Sequence, residues 1–450
     1  MTQHRGAWKN RWTFMLATAG SAIGLGNIWK LPYMIGVNGG SAFVLVFIAC
    51  ILFVGIPLMM TEIMLGRRAQ QNPLNAIQTL AKEANASSAW RYIGGMGMLA
   101  GVLILSFYSV IGGWVLSYIS YAAQNNFHEI TASQSSENFA SLLASPLTLL
   151  FWHTIFMLMT MGVVAKGVNS GLEKANNVLI PALFAILLIL LGYSMSVGDM
   201  DAAVTFMFAP DFSKITPVAV LSALGHAFFS LSLGMGSVMV YGSYLKRDVS
   251  IARTTIYIAL ADTMLGLLVG LAIYSLVFAN HLEPNAGPGL IFQTLPIAFG
   301  HMPWGNVIGT LFFMLVAFAA WTSAISLVEP TVAWVVENTQ IKRLTACLIL
   351  GVIVWLVGIS VLLSFGIWKD VRIVFGLGIF DTLDKLTSTI LLPLGGLLMA
   401  IFTGYFMKIY HVQEELDLGE TNFKLWKFAN NIIAPIAILA VFLYLFGLVK

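Results

Sequence analysis

"GSAIGLGNIWKLPY", residues 20–33, lies inside a stretch that is otherwise apolar and long enough to cross a bilayer. It nevertheless carries three glycines, an asparagine, a lysine and a proline. Irregular backbone in hydrocarbon leaves N–H and C=O groups unpaired at several kcal/mol each, so it survives only where protein, water or a ligand pairs with them. A break also sets a helix C-terminus and a helix N-terminus side by side at mid-membrane. The freed carbonyls suit a cation, and the positive helix end suits a carboxylate. Residues 20–27 can therefore hold a monovalent cation and an organic carboxylate together. A simple flexible kink is the other reading this segment leaves open.

Composition sets the frame around it. The chain has 450 residues, 58% hydrophobic and 10% charged, with a mean hydropathy of +0.86. A soluble domain carries roughly 25% charged residues. The chain is therefore an all-α polytopic membrane protein with no large soluble domain. A spanning helix needs about 20 mostly apolar residues. Eleven stretches qualify: 12–36, 41–66, 92–123, 146–165, 175–197, 216–245, 252–280, 304–336, 344–366, 380–407 and 427–449. Of the 23 Lys and Arg residues, all but Lys30, Lys214, Lys369, Arg372, Lys385 and Lys450 fall on one side. By the positive-inside rule that side is cytoplasmic. The N-terminus is then inside and the C-terminus outside, in a plasma (inner) membrane. The first span is too long and too interrupted for a cleavable signal. The net charge of +3 follows from the same loop bias and points to no nucleic acid. Cys50 and Cys347 both fall in apolar spans and read as buried thiols rather than a disulfide.

The opening pattern has a counterpart. The sixth span contains "SLSLGMGS", residues 230–237, again a Gly-x-Gly core flanked by small polar residues. It comes five spans after the first. Five is odd, so the second unit enters the membrane from the opposite side. Broken helices in corresponding positions of two inverted halves point to a secondary transporter.

The residues around both breaks resemble the neurotransmitter:sodium symporter family. "WKNRWTFMLATAGSAIGLGNIWKLPY" (8–33) is similar to that family's first-span signature. The resemblance continues in "NGGSAFVLVFIACILFVGIPLMMTEIMLGR" (38–67), "FFSLSLGMG" (228–236) and "AAWTSAISLVEP" (319–330). It covers essentially the whole chain and implies the leucine-transporter fold. That fold has two inverted five-helix repeats, here 12–197 and 216–407, and an added span at 427–449. The length and span count resemble the shorter bacterial members, which move hydrophobic amino acids.

The resemblance also implies sites. A first Na⁺ would sit on the Ala22 carbonyl, Asn27, Ser230 and Asp262, with the substrate carboxylate completing the shell. Na⁺ is a hard cation and takes oxygen ligands, as Ca²⁺ and Mg²⁺ do. Asp262 departs from the family's usual Asn. A mid-span carboxylate is costly and marks a functional site by default. It would supply the negative charge that chloride supplies in chloride-dependent relatives, so no chloride is expected. When the ion leaves, Asp262 either takes up a proton or is hydrated by entering water. The remaining alternative is an Asp bonded to neighbouring hydroxyls with no ion. A second Na⁺ would sit on the carbonyls of Gly20, Ile23 and Ala319 and the hydroxyls of Thr322 and Ser323. Those hydroxyls could instead bond back to their own helix.

The substrate carboxylate would meet the first Na⁺, the N–H groups near Leu25 and Gly26, and the Tyr108 hydroxyl. The amino group would meet carbonyls of Ala22, Phe229 and Ser230 and the Ser232 hydroxyl. Amine transporters of the family place an Asp where this chain has Gly24, so the substrate looks like an amino acid. Ile104, Phe229, Met235, Ala324 and Leu327 would line an apolar side-chain pocket. Such a pocket excludes charged side chains, because nothing would pair with them. Lys30 and Asp384 match the external gate, with Phe229 as its lid; Lys replaces the usual Arg and cannot form a bidentate fork. Arg5 with Glu337, near Trp8 and Tyr244, matches the internal gate. Glu62 would bond the sixth-span break. Gly171 and Pro181 would let the fifth span unwind. His226 stands where relatives carry Gln and reads as a satisfied polar residue or a proton carrier.

Other classes are weaker. The seven histidines are scattered, and no two form an i, i+4 pair on a helix, so no metalloenzyme site emerges. No span carries a polar stripe along its whole length, as a pore would need. The expected function is therefore Na⁺-coupled import of neutral hydrophobic, aromatic or large aliphatic, L-amino acids. An amino-acid-binding sensor on the same fold is the alternative.

Overall fold

The computed structural model describes residues 8, 11–284, 289–374 and 376–445. Among them, nine helices of 20 to 36 residues are apolar enough to cross a membrane. Two further spans are interrupted. The first runs as Arg11–Ala22, loses its helical bonding around residues 23–24, and resumes as a π-helical turn Gly26–Lys30 leading into Leu31–Val37. The sixth runs as Pro217–Ser230 and Ser237–Gly242, with residues 231–236 non-helical between them. The architecture is thus all-helical, with breaks in the two spans where small polar residues and glycines interrupt the apolar run.

Local chemistry sets most helix starts. Asn72, Thr216 and Ser250 each accept a hydrogen bond from a backbone N–H of the first turn that follows. Such caps satisfy N–H groups that have no partner within the helix. Pro73, Pro146 and Pro217 stand in first turns, where the missing N–H costs nothing.

The fifth and eleventh spans begin earlier than 175 and 427. They start at Val168 and Glu420, as continuous helices Val168–Val197 and Glu420–Leu445. The polar segments ahead of the expected starts are here helical: Glu173 accepts from Asn169 Nδ2 at 3.3 Å, and Trp426 Nε1 donates to the Pro57 carbonyl at 3.2 Å. Glu173 and Asn176 are buried in the fifth span, and Asn430 and Asn431 in the eleventh. Thr61 Oγ1 donates to Asn430 Oδ1 at 2.8 Å, and Asn431 Nδ2 donates to the Gly404 carbonyl at 3.3 Å.

The third and eighth spans form the most extensive helix pair and are the most enclosed. Glycines allow this approach. A Cβ on Gly101 would lie 2.6 Å from the Leu327 carbonyl, and one on Gly97 would lie 2.9 Å from the Gly234 carbonyl. Small residues at interfaces are how membrane helices gain close packing. The third span is thereby pressed against both the eighth span and the sixth-span break. Everything described next lies where those elements meet the first span.

Candidate functional site

The two breaks face each other. In the first span, the Tyr108 hydroxyl accepts the Leu25 N–H at 2.9 Å. In the sixth, Ser232 takes φ +54°, Gly234 +76° and Gly236 +74°. The freed Gly234 N–H donates to Glu62 Oε1 at 2.5 Å. Ser232 Oγ crosses between the breaks and donates to the Ser21 carbonyl at 2.8 Å. Each break is thus tied by side chains from unbroken spans, which is how irregular backbone persists in hydrocarbon.

Beside the first break lies a closed cluster of oxygens. The Ser230 hydroxyl is 2.5 Å from Asp262 Oδ2 and 3.0 Å from Asn27 Oδ1. Asn27 Nδ2 donates to Asp262 Oδ1 at 2.6 Å and to the Asp262 carbonyl at 3.0 Å. All three side chains are fully buried. The oxygens fit a hard monovalent cation, and among the described residues no cationic side chain is bonded to Asp262.

A second cluster lies across the first and eighth spans. Ser323 Oγ sits 3.3 Å from the Gly20 carbonyl, 3.1 Å from that of Ser21 and 3.3 Å from that of Ile23. Thr322 Oγ1 is 3.1 Å from the Ala319 carbonyl. Here too every donor atom is an oxygen.

Between the clusters is a small central cavity of about 20 Å³. Ala22, Gly24, Gly26, Ile104, Tyr108, Phe229, Ser232, Met235 and Leu327 line it, with Ser21 and Ser323. Neither Ser230 nor Leu25 is part of that lining, and Ala324 is fully buried away from it. Gly24 has no room for a side chain: a Cβ would lie 2.5 Å from Ser323 Oγ and 2.7 Å from the Tyr108 hydroxyl.

Above the cavity, Phe229 forms its roof. Lys30 Nζ stands 5.1 Å over the Phe229 ring and 3.2 Å from Asp384 Oδ1. Beyond lies a vestibule of about 350 Å³, walled by aromatic side chains including Trp29, Phe107, Trp114 and Phe380. His226 is buried behind this roof against Phe47, and neither of its ring nitrogens has a partner among the described residues. It is therefore not the satisfied polar residue its position suggests.

The opposite end is packed shut. Arg5 lies outside the described residues. Glu337 accepts from the N–H and Nδ2 of Asn72, at 3.0 and 2.7 Å. The Tyr244 hydroxyl donates to Glu329 Oε1 at 3.1 Å, and Glu329 Oε2 also pairs with Arg343. Arg343 Nε donates to the Val164 carbonyl at 2.8 Å. Trp8 is buried against Tyr241 and Tyr244, and its Nε1 donates to the Tyr241 carbonyl at 3.1 Å. Sequence reasoning missed Glu329. Its signal was present, since a Glu inside an apolar span is itself a functional hypothesis. Gly171 stands in a π-helical turn, Val168–Leu172, and Pro181 lies inside the following helix Glu173–Val197.

Comparison with known proteins finds relatives over nearly the whole chain. The model of the sodium:neurotransmitter symporter family matches residues 5–141 and 127–449. An uncharacterized sodium-dependent transporter of Bacillus subtilis, YhdH, is 39% identical over 447 residues, with 98% of each chain covered. One from Haemophilus influenzae is 33% identical over 449 residues, again covering 98% of each. The crystal structure of MhsT in complex with L-phenylalanine superposes with a TM-score of 0.91 at 41% identity. That match covers 98% of this chain and 99% of MhsT.

Proposed function

This chain belongs to the sodium:neurotransmitter symporter family of sodium-dependent transporters, and we propose that it imports neutral hydrophobic L-amino acids, aromatic or large aliphatic, together with two Na⁺ and without chloride. It is a transporter and not an enzyme. The observation that carries the reading is the central cavity. Ile104, Met235 and Leu327 give it an apolar side, while Gly24 and Tyr108 give it a polar end. No acidic residue lines it. An amine without a carboxylate would have no partner there, whereas a zwitterion brings its own anion. The bound L-phenylalanine of MhsT supports the same substrate class.

In this reading the first Na⁺ binds Asn27, Ser230, Asp262 and the Ala22 carbonyl, and the substrate carboxylate joins its shell. The second Na⁺ binds Gly20, Ile23, Ala319, Thr322 and Ser323. Each ion ties a broken span to an unbroken one, so occupancy favours closure over the substrate. Residues 12–197 and 216–407 act as inverted units. The Trp8 end faces the cytoplasm, as the Lys and Arg distribution supports. The vestibule then opens outward, and Lys30, Asp384 and Phe229 form the outer gate. Release inward requires separation of Trp8, Tyr244, Glu329 and Arg343, followed by loosening of the fifth span at Gly171.

The test is uptake into proteoliposomes under an imposed Na⁺ gradient, with and without chloride. Competition by Leu, Met, Phe, Tyr and Trp, and none by Asp, Lys or GABA, is the expected result. If K⁺ replaces Na⁺, or a charged amino acid competes best, the reading fails.

A further inference from the structure

The second sodium cluster has an unpaired oxygen beside it that no role above uses. Asn176, in the fifth span, is 1% exposed. Its Nδ2 donates to the Leu172 carbonyl at 2.9 Å. That carbonyl can only accept, so the NH₂ group must face it, and Oδ1 must point the other way. There Oδ1 has no hydrogen-bond partner among the described residues. It faces Gly20 so closely that a Cβ on Gly20 would lie 2.5 Å from it.

Gly20 supplies a carbonyl to the second sodium cluster. It stands in the last turn before the first-span break, where carbonyls lose their helical partners. Glu173, three residues before Asn176 on a neighbouring face of the same helix, is also buried and accepts from Asn169 Nδ2 at 3.3 Å. A carbonyl, an amide oxygen and a carboxylate thus succeed one another from the cluster toward the end that carries Trp8. All are ligands a hard cation accepts.

We propose that Asn176 Oδ1 is a coordination point on the exit route of the second Na⁺, taking the ion over beside Gly20 as it leaves Thr322 and Ser323 for the cytoplasm. This rests on the two-sodium reading above. It also gives the fifth span a part in timing. The same amide group holds Leu172, at the junction of the π-helical turn and the helix that follows. Loosening of that turn frees the amide to turn with the departing ion. Burying an amide oxygen without a partner costs about 1–3 kcal/mol. A ligand that visits the site only in transit accounts for that cost.

The competing explanation is that Asn176 only braces the Leu172 carbonyl. Two substitutions separate the two. Asn176→Thr keeps a hydroxyl that can bond back to Leu172 but is too short to reach Gly20. Asn176→Asp keeps an oxygen beside Gly20 and loses the donor to Leu172. The probes are ²²Na⁺ binding to purified protein and uptake of radiolabelled L-phenylalanine into proteoliposomes loaded with increasing internal Na⁺. For Thr, equilibrium ²²Na⁺ binding should stay within about twofold while uptake slows about tenfold, the ratio that about 1.4 kcal/mol gives. Internal Na⁺ should also inhibit the Thr variant several-fold less strongly than wild type, and the Asp variant more strongly. Wild-type uptake and inhibition in the Thr variant overturn the proposal. So does an Asp variant that loses sensitivity to internal Na⁺ as Thr does. If Asp does not yield protein that binds ²²Na⁺, the Thr result decides alone. Failure of the underlying reading looks different, because wild-type uptake would then not depend on Na⁺ at all.

Discussion

Asp262 is a carboxyl group buried within a span, where its side-chain partners among the described residues are an amide and a hydroxyl. Its two oxygens are held by Asn27 and Ser230, and both those side chains also face the proposed first Na⁺. In the two-sodium reading proposed above, with a zwitterion bound, an ionised Asp262 offsets one of the two positive charges. Asp262→Ser keeps an oxygen and removes the charge. The expected outcome is uptake that becomes dependent on chloride, measured by replacing chloride with gluconate on both sides. Wild-type uptake that already requires chloride would refute this role. Tyr108 makes a second prediction. Its hydroxyl accepts from Leu25 N–H at the polar end of the cavity. A hydrogen bond to a charged group contributes about 1.5–3 kcal/mol, so Tyr108→Phe should weaken apparent substrate affinity about tenfold or more. Ala324, by contrast, lies off the cavity, so Ala324→Phe should lower stability rather than reshape selectivity. At this scale the sequence was legible where a residue type was out of place in an apolar span, as Asp262, Asn27 and Glu62 are. Ala324 carries no such mark, because a small apolar residue in an apolar span has no signal of its own.

Among the elements, the sixth-span break is set by backbone conformation more than by any side chain. Gly234 has a positive φ, and a Cβ there would lie 2.5 Å from the Leu392 carbonyl. Gly234→Ala therefore meets both conformational strain and a backbone clash. Strain of this kind costs on the order of 1–3 kcal/mol, before the clash is counted. The expected result is loss of Na⁺-dependent substrate binding and a lower unfolding temperature in detergent. Gly225, where a Cβ meets open space, is the control: Gly225→Ala should leave both unchanged. Both breaks were legible because Gly-x-Gly with small polar neighbours cannot be explained as apolar span. The early starts of the fifth and eleventh spans were not. Their polar first turns look like boundaries until Glu173 is seen buried and paired with Asn169, and Trp426 paired with the second span. The π-helical turns at Val168–Leu172 and Lys385–Leu391 left no signal either, since periodicity does not distinguish one extra residue in a helix.

Across the whole molecule, the two ends are closed by different physics. The Lys30 end has, among the described residues, the Lys30–Asp384 ion pair, 3.2 Å long and partly exposed, over a phenyl lid. The Trp8 end, cytoplasmic in the reading proposed above, joins five spans or their flanks through Trp8, Tyr244, Glu329, Arg343 and the Val164 carbonyl. Glu329 is fully buried there. Removing Arg343 alone would leave its charge uncompensated, at about 3–5 kcal/mol. In the inward-open state water reaches Glu329 and that cost disappears. Arg343→Met should therefore shift the population toward inward-open by on the order of 100-fold, since about 3 kcal/mol corresponds to roughly 150-fold. Apparent affinity for external Na⁺ should fall in proportion to the lost outward-facing fraction. Replacing both partners is different, because an apolar pair of similar volume is often neutral. Arg343→Met with Glu329→Leu should recover most of the external Na⁺ affinity lost in the single variant. The measurement is the external Na⁺ concentration giving half-maximal uptake, with labelling of Ala17→Cys from inside, on a background lacking Cys50 and Cys347, as the independent report of opening. Ala17 is buried in the first span, so its reactivity rises only when that end opens. Equal behaviour of the single and double variants would mean that the buried charge does not hold this end shut, and that packing around Trp8 does.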